Sequence, residues 1–325
     1  RQTPKTKIIT VLLDSYGLAA YMQRMDSKNT NNLPFMKMHG LGNDFVVIDA
    51  REKDVQLSQK TVSGIADRHF GVGFDQLAVI SKGEFDAHLT FYNADGSESL
   101  ACGNATRCIA RYLMDEASKE SLLLTTMHGQ IPAVDLGNGV TSVNMGQPSL
   151  EWNKVPLSAN IPTLKLPIEG SPTATGMGNP HCTFFVEDAE KINLEEMGPK
   201  FENHPLFPER TNVQFAKILD PNRIRVRVWE RGTGVTLASG SSSCAVAVAA
   251  IRNEFTQNKV TVDLDGGSLE VNWTSDGVWL TGPTAHSFSG ILTKDFLSFI
   301  WSTNPFLRNE ESMTFFGPVI MPMFV

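Results

Sequence analysis

The chain has 325 residues, of which 41% are hydrophobic and 19% charged, a composition typical of a globular protein with room for two domains. Its formal net charge is −7 and it contains no cluster of Lys and Arg, which argues against nucleic acid or an anionic membrane surface as a partner. No run approaches the roughly 18 apolar residues of a membrane-spanning helix, so the composition leaves a small polar metabolite as the expected partner.

The N-terminal segment, residues 1–34, combines one short apolar run with a polar stretch. Asp14 interrupts the apolar run, which is therefore unlike the core of a secretory signal peptide. We predict a poorly ordered extension there.

The first half of the chain alternates short strands with helices. The turn Gly40-Leu41-Gly42-Asn43 leads into residues 45–49, an apolar run rich in β-branched residues that predicts a buried strand. Residues 61–69 have helical periodicity, and residues 77–80 form a second apolar run. Residues 88–92 alternate polar and apolar side chains, as in a sheet with one solvent-exposed face.

A Gly-flanked turn into a helix follows. Cys102 stands nine positions after Asn93, directly before a helix predicted over residues 105–113. This helix places Arg107 and Arg111 on one face and apolar residues on the other. Further on, residues 125–144 contain extended stretches separated by Gly, Asn and Asp turns. This pattern predicts hairpins that close the first domain.

The second half repeats these landmarks at an offset of about 137 residues, after a Pro-rich connection over residues 153–172. Strands are predicted at residues 182–186, 213–218 and 223–229. The helix over residues 245–251 is apolar nearly all round and should be buried. Residues 260–280 predict the closing hairpins of this half.

The repeat is clearest at the turns. Gly40-Leu41-Gly42-Asn43 recurs as Gly176-Met177-Gly178-Asn179, and Leu100-Ala101-Cys102-Gly103-Asn104 recurs as Leu237-Ala238-Ser239-Gly240-Ser241. Asn93 and Glu230 each stand nine residues before the Cys or Ser. We therefore predict an extension over residues 1–34, a first repeat over 35–152, a linker over 153–172, a second repeat over 173–290 and a C-terminal apolar extension over 291–325.

The four cysteines are too sparse for a disulfide scaffold, and none forms a Cys-x-x-Cys pair. This use of cysteine predicts a reducing environment and a cytoplasmic location. Cys108 and Cys244 lie in apolar helical stretches and Cys182 opens an apolar run, so all three are predicted to be buried and unreactive. Cys102 differs because it sits at the start of a helix.

Backbone N–H groups at a helix start carry partial positive charge and can seat a carboxylate. They are also expected to lower the pKa of Cys102 below the free value of about 8.5. Two such helix starts facing each other would clamp one α-carboxylate, with Cys102 on one side of the α-carbon and Ser239 on the other. Proton abstraction on one face and protonation on the opposite face would invert that centre without a cofactor.

Several motifs, in order from about residue 35 to residue 290, resemble those of diaminopimelate epimerase. They are Lys37-Met38-His39-Gly40-Leu41-Gly42-Asn43-Asp44-Phe45, Gly71-Val72-Gly73-Phe74-Asp75-Gln76-Leu77, Asn93-Ala94-Asp95-Gly96-Ser97-Glu98, Cys102-Gly103-Asn104, Met177-Gly178-Asn179-Pro180-His181-Cys182, Pro208-Glu209-Arg210-Thr211-Asn212 and Glu230-Arg231-Gly232-Thr233-Gly234.

The resemblance implies a cofactor-independent epimerase that interconverts L,L- and meso-diaminopimelate in lysine and cell-wall precursor biosynthesis. It implies an α+β fold of two pseudo-symmetric domains, each a β-structure wrapped around a central helix, with the active site in the cleft between them. Cys102 corresponds to the proton donor and Ser239 to the acceptor, while His181 and Glu230 correspond to the pair that tunes the catalytic thiols. No cofactor and no metal are implied.

The resemblance also implies a set of substrate contacts. Amides would hold the ammonium and carboxylate groups at the distal end of the substrate, and Arg231 would bind a carboxylate in bidentate fashion. The residues at the matching positions are Asn43, Gln76, Asn93, Gly103, Asn104, Asn179, Asn212, Glu230, Arg231, Gly240 and Ser241.

The main departure from the family is Ser239, where a second Cys is usual. A hydroxyl gives up its proton far less readily than a thiol, so the two-base reaction should be impaired. An engineered substitution, a natural divergence and a sequence error are all compatible with this change. Two alternatives stay open at this point: a catalytically silent protein that binds diaminopimelate, and a proline racemase-like enzyme of the same fold. Asn179, Asn212 and Arg231 favour a longer substrate than proline, with a second charged end.

The dimer and the tail are the last expectations. Phe288 stands where the family often has a Tyr associated with dimer contact, and an apolar interface survives the loss of one hydroxyl, so we expect a homodimer.

Residues 291–325 mix Phe, Trp, Met and Pro, and Pro318 and Pro322 make a spanning helix unfavourable. This tail either packs on the body or forms an accessory contact; a structural or interaction protein that uses the tail is a third, weaker alternative.

Overall fold

A computed structural model of the protein describes residues 32–99 and 102–303. Most of the predicted N-terminal extension, the tail beyond residue 303 and the pair Leu100-Ala101 lie outside the described residues. Within them, no helix is long and apolar enough to cross a membrane.

Within the described residues, the first half of the chain contains eight strands and two helices. The strands are β1 (Leu33–Gly40), β2 (Asn43–Asp49), β3 (Gln76–Ser81), β4 (Ala87–Asn93), β5 (Glu98–Ser99), β6 (Ser121–Thr126), β7 (Gly129–Asp135) and β8 (Val140–Asn144). The helices are α1 (Gln59–Ala66) and α2 (Gly103–Ala117).

The part of the second half that the structure describes contains nine further strands and three helices. The strands are β9 (Thr173–Gly176), β10 (Pro180–Phe185), β11 (Asn212–Asp220), β12 (Arg223–Glu230), β13 (Gly234–Thr236), β14 (Lys259–Leu264), β15 (Gly267–Thr274), β16 (Gly277–Pro283) and β17 (Ala285–Leu292). The helices are α3 (Leu194–Glu202), α4 (Gly240–Arg252) and α5 (Lys294–Thr303), with a 3₁₀ turn at Ala189–Lys191.

The two halves repeat one pattern of strand pairing. In the first half, β2 pairs with β3 and β4 with β6 in parallel, while the other neighbours are antiparallel. In the second half, β10 pairs with β11 and β12 with β14 in parallel at the matching places. The antiparallel pairs β8–β16 and β1–β17 join the halves into one 17-stranded sheet. The predicted α+β architecture with two pseudo-symmetric domains is therefore confirmed.

The central helices α2 and α4 lie inside the β-structure. In α4 every residue from Ser242 to Ala250 is buried, as the apolar sequence predicted. Helix α2 is also buried on most of its surface. The predicted helix face that carries Arg107 and Arg111 is therefore not a solvent face, because Arg107 is fully buried and Arg111 only partly exposed. Cys108, Cys182 and Cys244 are buried and free of disulfides, as predicted.

One local prediction needs correction, and two features were not predicted. The helix predicted over residues 61–69 ends at Ala66, because the Asp67 carboxylate accepts the N–H groups of His69 and Phe70 and closes a turn. Helix α3 was not predicted, and it has Pro199 in its interior. The segment 153–172 has no helix or strand, yet it contributes buried side chains to a hydrophobic cluster of the second half, namely Val155, Leu157 and Leu166.

The first part of the C-terminal segment packs on the first half of the protein. The Asn32 side chain accepts the N–H of Lys294 at 3.0 Å, where α5 begins. Further along α5, Ile300 lies against α1, and a methyl group at Gly64 would come within 2.6 Å of its Cγ2 atom. Ile300 thereby joins a cluster with Val62 and Ile65.

Candidate active site

Cys102 and Ser239 occupy equivalent positions as N-caps of the two central helices. The Cys102 Sγ atom accepts the N–H of Ala105 at 3.4 Å, and the Ser239 Oγ atom accepts the N–H of Ser242 at 3.4 Å. Both have the extended backbone that N-caps require. The structure thus presents one thiol and one hydroxyl at matched helix starts.

The two helix starts face each other. A methyl group at Gly240 would lie 3.3 Å from the backbone nitrogen of Asn104, and one at Gly103 or at Gly240 would lie 3.0 Å from the same Cδ2 atom of Leu280. Glycine at both positions permits this close approach of the backbones. The positive ends of the two helix dipoles therefore converge on one small volume, which favours an anion between them.

The structure corrects the expected ionisation of Cys102. Burial raises the pKa of the thiol to about 12, because only 8% of the residue is exposed and the thiolate would lose its hydration. The N–H of Ala105 lowers the pKa, as the sequence predicted, but burial outweighs it. The charge of Glu230 raises the pKa further. Cys102 is therefore a protonated thiol at neutral pH.

Ser239 is hydrogen-bonded to a carboxylate. Its hydroxyl donates to Oε2 of Glu230 at 3.1 Å, while the Thr236 hydroxyl donates to Oε1 at 2.7 Å. Loss of solvent raises the pKa of Glu230, and the two hydroxyl donors partly offset that increase. The site thus pairs a hydroxyl with a buried carboxyl group at one helix start and holds a neutral thiol at the other.

His181 is fully buried and has two amide partners. Its Nε2 atom lies 2.7 Å from Asn179 Oδ1, and its Nδ1 atom lies 3.0 Å from Nε2 of Gln214. Burial, with the charge of Arg231, lowers the pKa of the imidazole to about 3, so the ring is neutral. Gln214 also donates to the hydroxyl of Ser242, which follows the Ser239 cap. Sequence reasoning missed Gln214, since a single Gln within a strand carries no local signal.

The predicted polar residues of the first half form two groups. Asn43 and Asn104 are hydrogen-bonded to each other at 3.1 Å between Oδ1 and Nδ2. Gln76 donates to Asn93 Oδ1 at 3.3 Å across the β3–β4 pair, and also to the Ser99 hydroxyl. The structure therefore brings these amides into two neighbouring pairs.

In the second half, Asn212 and Arg231 are held together. The Asn212 side chain accepts the backbone N–H of Arg231 at 3.0 Å and donates to the Pro180 carbonyl. One guanidinium nitrogen of Arg231 donates to the Glu209 carbonyl at 3.0 Å. No carboxylate of the described residues forms an ion pair with this partly exposed cation. Gly240 and Ser241 form the start of α4.

The family model described as diaminopimelate epimerase matches residues 35–151 and 173–286. A diaminopimelate epimerase of Acidiphilium cryptum is 47% identical over 266 residues, which cover 80% of this chain and 96% of the relative. A diaminopimelate epimerase of Rhodospirillum centenum is 45% identical over 271 residues, which cover 81% of this chain and 93% of the relative.

Solved structures share the fold at low sequence identity. A hydroxyproline epimerase of Agrobacterium vitis with bound trans-4-hydroxy-L-proline has a TM-score of 0.60 at 11% identity, covering 81% of this chain and 93% of that chain. A phenazine biosynthesis protein of the PhzF family from Bacillus anthracis has a TM-score of 0.58 at 15% identity, covering 81% and 99%. These similarities show the fold alone.

Proposed function

The chain belongs to the diaminopimelate epimerase family, and from this premise we propose that it interconverts L,L- and meso-diaminopimelate by proton transfer between two residues on opposite faces of the α-carbon. It is an isomerase of amino-acid biosynthesis. One observation carries the proposed chemistry: two helix starts face each other, and each is capped by a side chain that can carry a proton.

The facing helix starts suit an α-carboxylate. Backbone N–H groups of Gly103 and Asn104 on one side, and of Gly240 and Ser241 on the other, would bind it. As the α-proton leaves, negative charge spreads into this carboxylate, and fixed N–H dipoles stabilise that charge without reorganising. With the carboxylate bound there, Cys102 and Ser239 would lie on opposite sides of the α-carbon.

The protonation states support a direction for the first turnover. Ser239 Oγ would take the α-proton while its own hydroxyl proton moves to Oε2 of Glu230, and the C–H electron pair would pass into the substrate carboxylate. The Cys102 thiol would then give its proton to the opposite face. Glu230 ends protonated and Cys102 ends as a thiolate, and the reverse reaction starts from that state. Because a hydroxyl is the weaker acid–base group, this chain is proposed to turn over slowly.

The distal end of diaminopimelate carries a second ammonium and a second carboxylate. Arg231 is partly withdrawn from solvent, and burial lowers the pKa of its guanidinium, which favours a carboxylate partner. Asn179 and Asn212 flank the same region, and Gln76 and Asn93 provide amide oxygens. We assign these residues to the distal amino-acid group of the substrate.

We further propose a cytoplasmic homodimer. Phe288 is 50% exposed on β17, and its ring packs edge-on against Phe35 at 6.0 Å. Among the described strands, β17 pairs with β1 alone, so one edge of it is open for a partner. Sedimentation velocity at micromolar concentration is expected to give a species of twice the 35.7 kDa chain mass. A purely monomeric profile would remove this part of the proposal.

The direct test is incubation of the full chain with L,L-diaminopimelate, followed by chiral chromatography. Slow appearance of the meso isomer is expected, and none is expected from L-proline in a parallel sample. Binding measured by calorimetry without any conversion would show a binding protein instead of an enzyme. Conversion of proline but not of diaminopimelate would favour the racemase alternative.

A further inference from the structure

Asn43 and Asn104 belong to an unbroken hydrogen-bonded relay. Arg107 Nη1 donates to Asn104 Oδ1 at 2.9 Å, Asn104 Nδ2 donates to Asn43 Oδ1 at 3.1 Å, and Asn43 Nδ2 donates to Asp75 Oδ2 at 2.8 Å. The relay thus runs from a guanidinium through two amides to a carboxylate.

The two ends give the relay a direction. A guanidinium can only donate and a carboxylate can only accept. If either amide turned over, its Nδ2 would face a donor or its Oδ1 would face an acceptor. The orientation of both amides is therefore determined by the charged ends and not by the amides themselves.

Burial of the guanidinium at the cationic end costs free energy of folding. Arg107 is fully buried, forms no ion pair with any described residue, and leaves Nε and Nη2 without a hydrogen-bond partner. Its guanidinium lies against the backbone of two glycines. A methyl group at Gly40 would come within 3.1 Å of Nη2, and one at Gly282 within 3.4 Å. A buried cation without a counter-ion destabilises a fold, so a purely structural role does not explain this residue.

The anionic end is anchored at the surface. Asp75 Oδ1 accepts from Arg68 at 2.9 Å, and Arg68 also donates to both oxygens of Asp44. Burial alone would raise the pKa of Asp44, but Arg68 and Lys37 outweigh it and lower the pKa to about 2. Asp44 pairs with Lys37 and Arg68, and Asp75 pairs with Arg68.

We propose that Arg107 and Asp75 are positioning residues that fix Asn43 and Asn104 in the orientation the substrate requires. The proposal rests on the proposed function for the identity of the ligand, diaminopimelate. Each amide keeps one N–H and one oxygen lone pair that can bind the ligand. The hydrogen bonds to Arg107 and Asp75 determine which of these two groups points toward the ligand.

Substitutions at the two ends test the proposal in the full chain. Arg107→Met and Asp75→Ala are each expected to weaken diaminopimelate binding about 10–100-fold, the value of a hydrogen bond to a charged group. Arg107→Lys and Asp75→Asn keep a donor and an acceptor and should restore most of the affinity. Because the remaining charged end still opposes a turn of either amide, each single variant should retain part of the orientation. The double variant removes both ends and should bind more weakly than the product of the two single losses predicts, whereas losses that only multiply would overturn the relay.

Two controls separate positioning from folding. Arg111→Met, one turn along α2, and Asp86→Ala, in a surface pair with Lys119, should leave binding unchanged. Arg107→Met should leave the melting temperature equal or raise it, because an unpaired buried cation is lost. A drop in melting temperature that accounts for the weaker binding would contradict the positioning role.

A measurement without substrate separates this inference from the proposed function. The side-chain amide NMR signals of Asn43 and Asn104 can be assigned with Asn43→Asp and Asn104→Asp. Arg107→Met should shift the Asn43 signals and Asp75→Ala the Asn104 signals, although no hydrogen bond joins either pair directly. If the shifts propagate but diaminopimelate does not bind, the relay stands and the proposed function fails. If each substitution shifts only its direct neighbour, the relay is wrong.

Discussion

Replacement of Ser239 by Cys is expected to raise the rate of diaminopimelate epimerisation by about 10²–10⁴-fold, the usual contribution of a well-matched general acid or base. Ser239 caps α4 and donates to Glu230 at 3.1 Å, so a thiol at this position would have a base beside it and helix N–H groups in front of it. A thiol ionises more readily than a hydroxyl and would not need a concerted proton shift to Glu230. Chiral chromatography of timed samples measures the change.

The matched control is Ser239→Ala, which removes the hydroxyl without adding a thiol. It is expected to be slower than the parent chain, because the path from the α-carbon to Glu230 is broken. Equal rates for the parent chain and both variants would show that position 239 takes no part in proton transfer. The parent chain would then use another group on that face.

Cys102→Ala is expected to abolish α-proton transfer on the thiol face, with a loss of about 10²–10⁴-fold in turnover and little change in diaminopimelate affinity. The affinity should persist because backbone N–H groups of α2, and not the thiol, form the carboxylate seat. Cys244→Ala, in the interior of α4, serves as the control and should retain activity. A large loss of binding in Cys102→Ala alone would contradict this assignment, in which backbone N–H groups bind the carboxylate and the thiol only transfers a proton.

The ionisation of Cys102 provides a second readout of the same residue. Since burial raises its pKa to about 12, the alkylation rate of the thiol by iodoacetamide should rise about tenfold per pH unit from pH 7 to pH 10. The rate is proportional to the thiolate fraction, which is small throughout this interval. A plateau near neutral pH would show that the helix dipole dominates, as the sequence alone suggested.

The two helix caps, Cys102 and Ser239, could be predicted from the sequence because their signals are local. A Gly-flanked Cys or Ser before an apolar helical stretch marks an N-cap, and the repeat indicates that two such caps exist. Short apolar runs and the alternation of polar and apolar residues located most strands for the same reason. The anion-binding site at the two helix starts follows from these local patterns.

Other parts of the site depend on tertiary packing that the sequence does not display. The parallel β2–β3 pair places Phe45 opposite Gln76, which brings Asp75 beside the start of β2 and next to Asn43. Parallel register has no local sequence signal. The high pKa of Cys102 and the burial of Arg107 likewise result from enclosure of α2 by both halves, which periodicity in one helix cannot reveal.

The most direct test of two acid–base residues on opposite faces is the isotope content of the first product. L,L-diaminopimelate is converted in deuterated water by the parent chain and by Ser239→Cys, and the early product and the remaining substrate are examined by mass spectrometry. We expect product with one solvent deuterium at the inverted α-carbon and substrate that keeps its original hydrogen, because different groups remove and deliver the proton. Product that retains the original hydrogen would show a single base serving both faces and would contradict the mechanism.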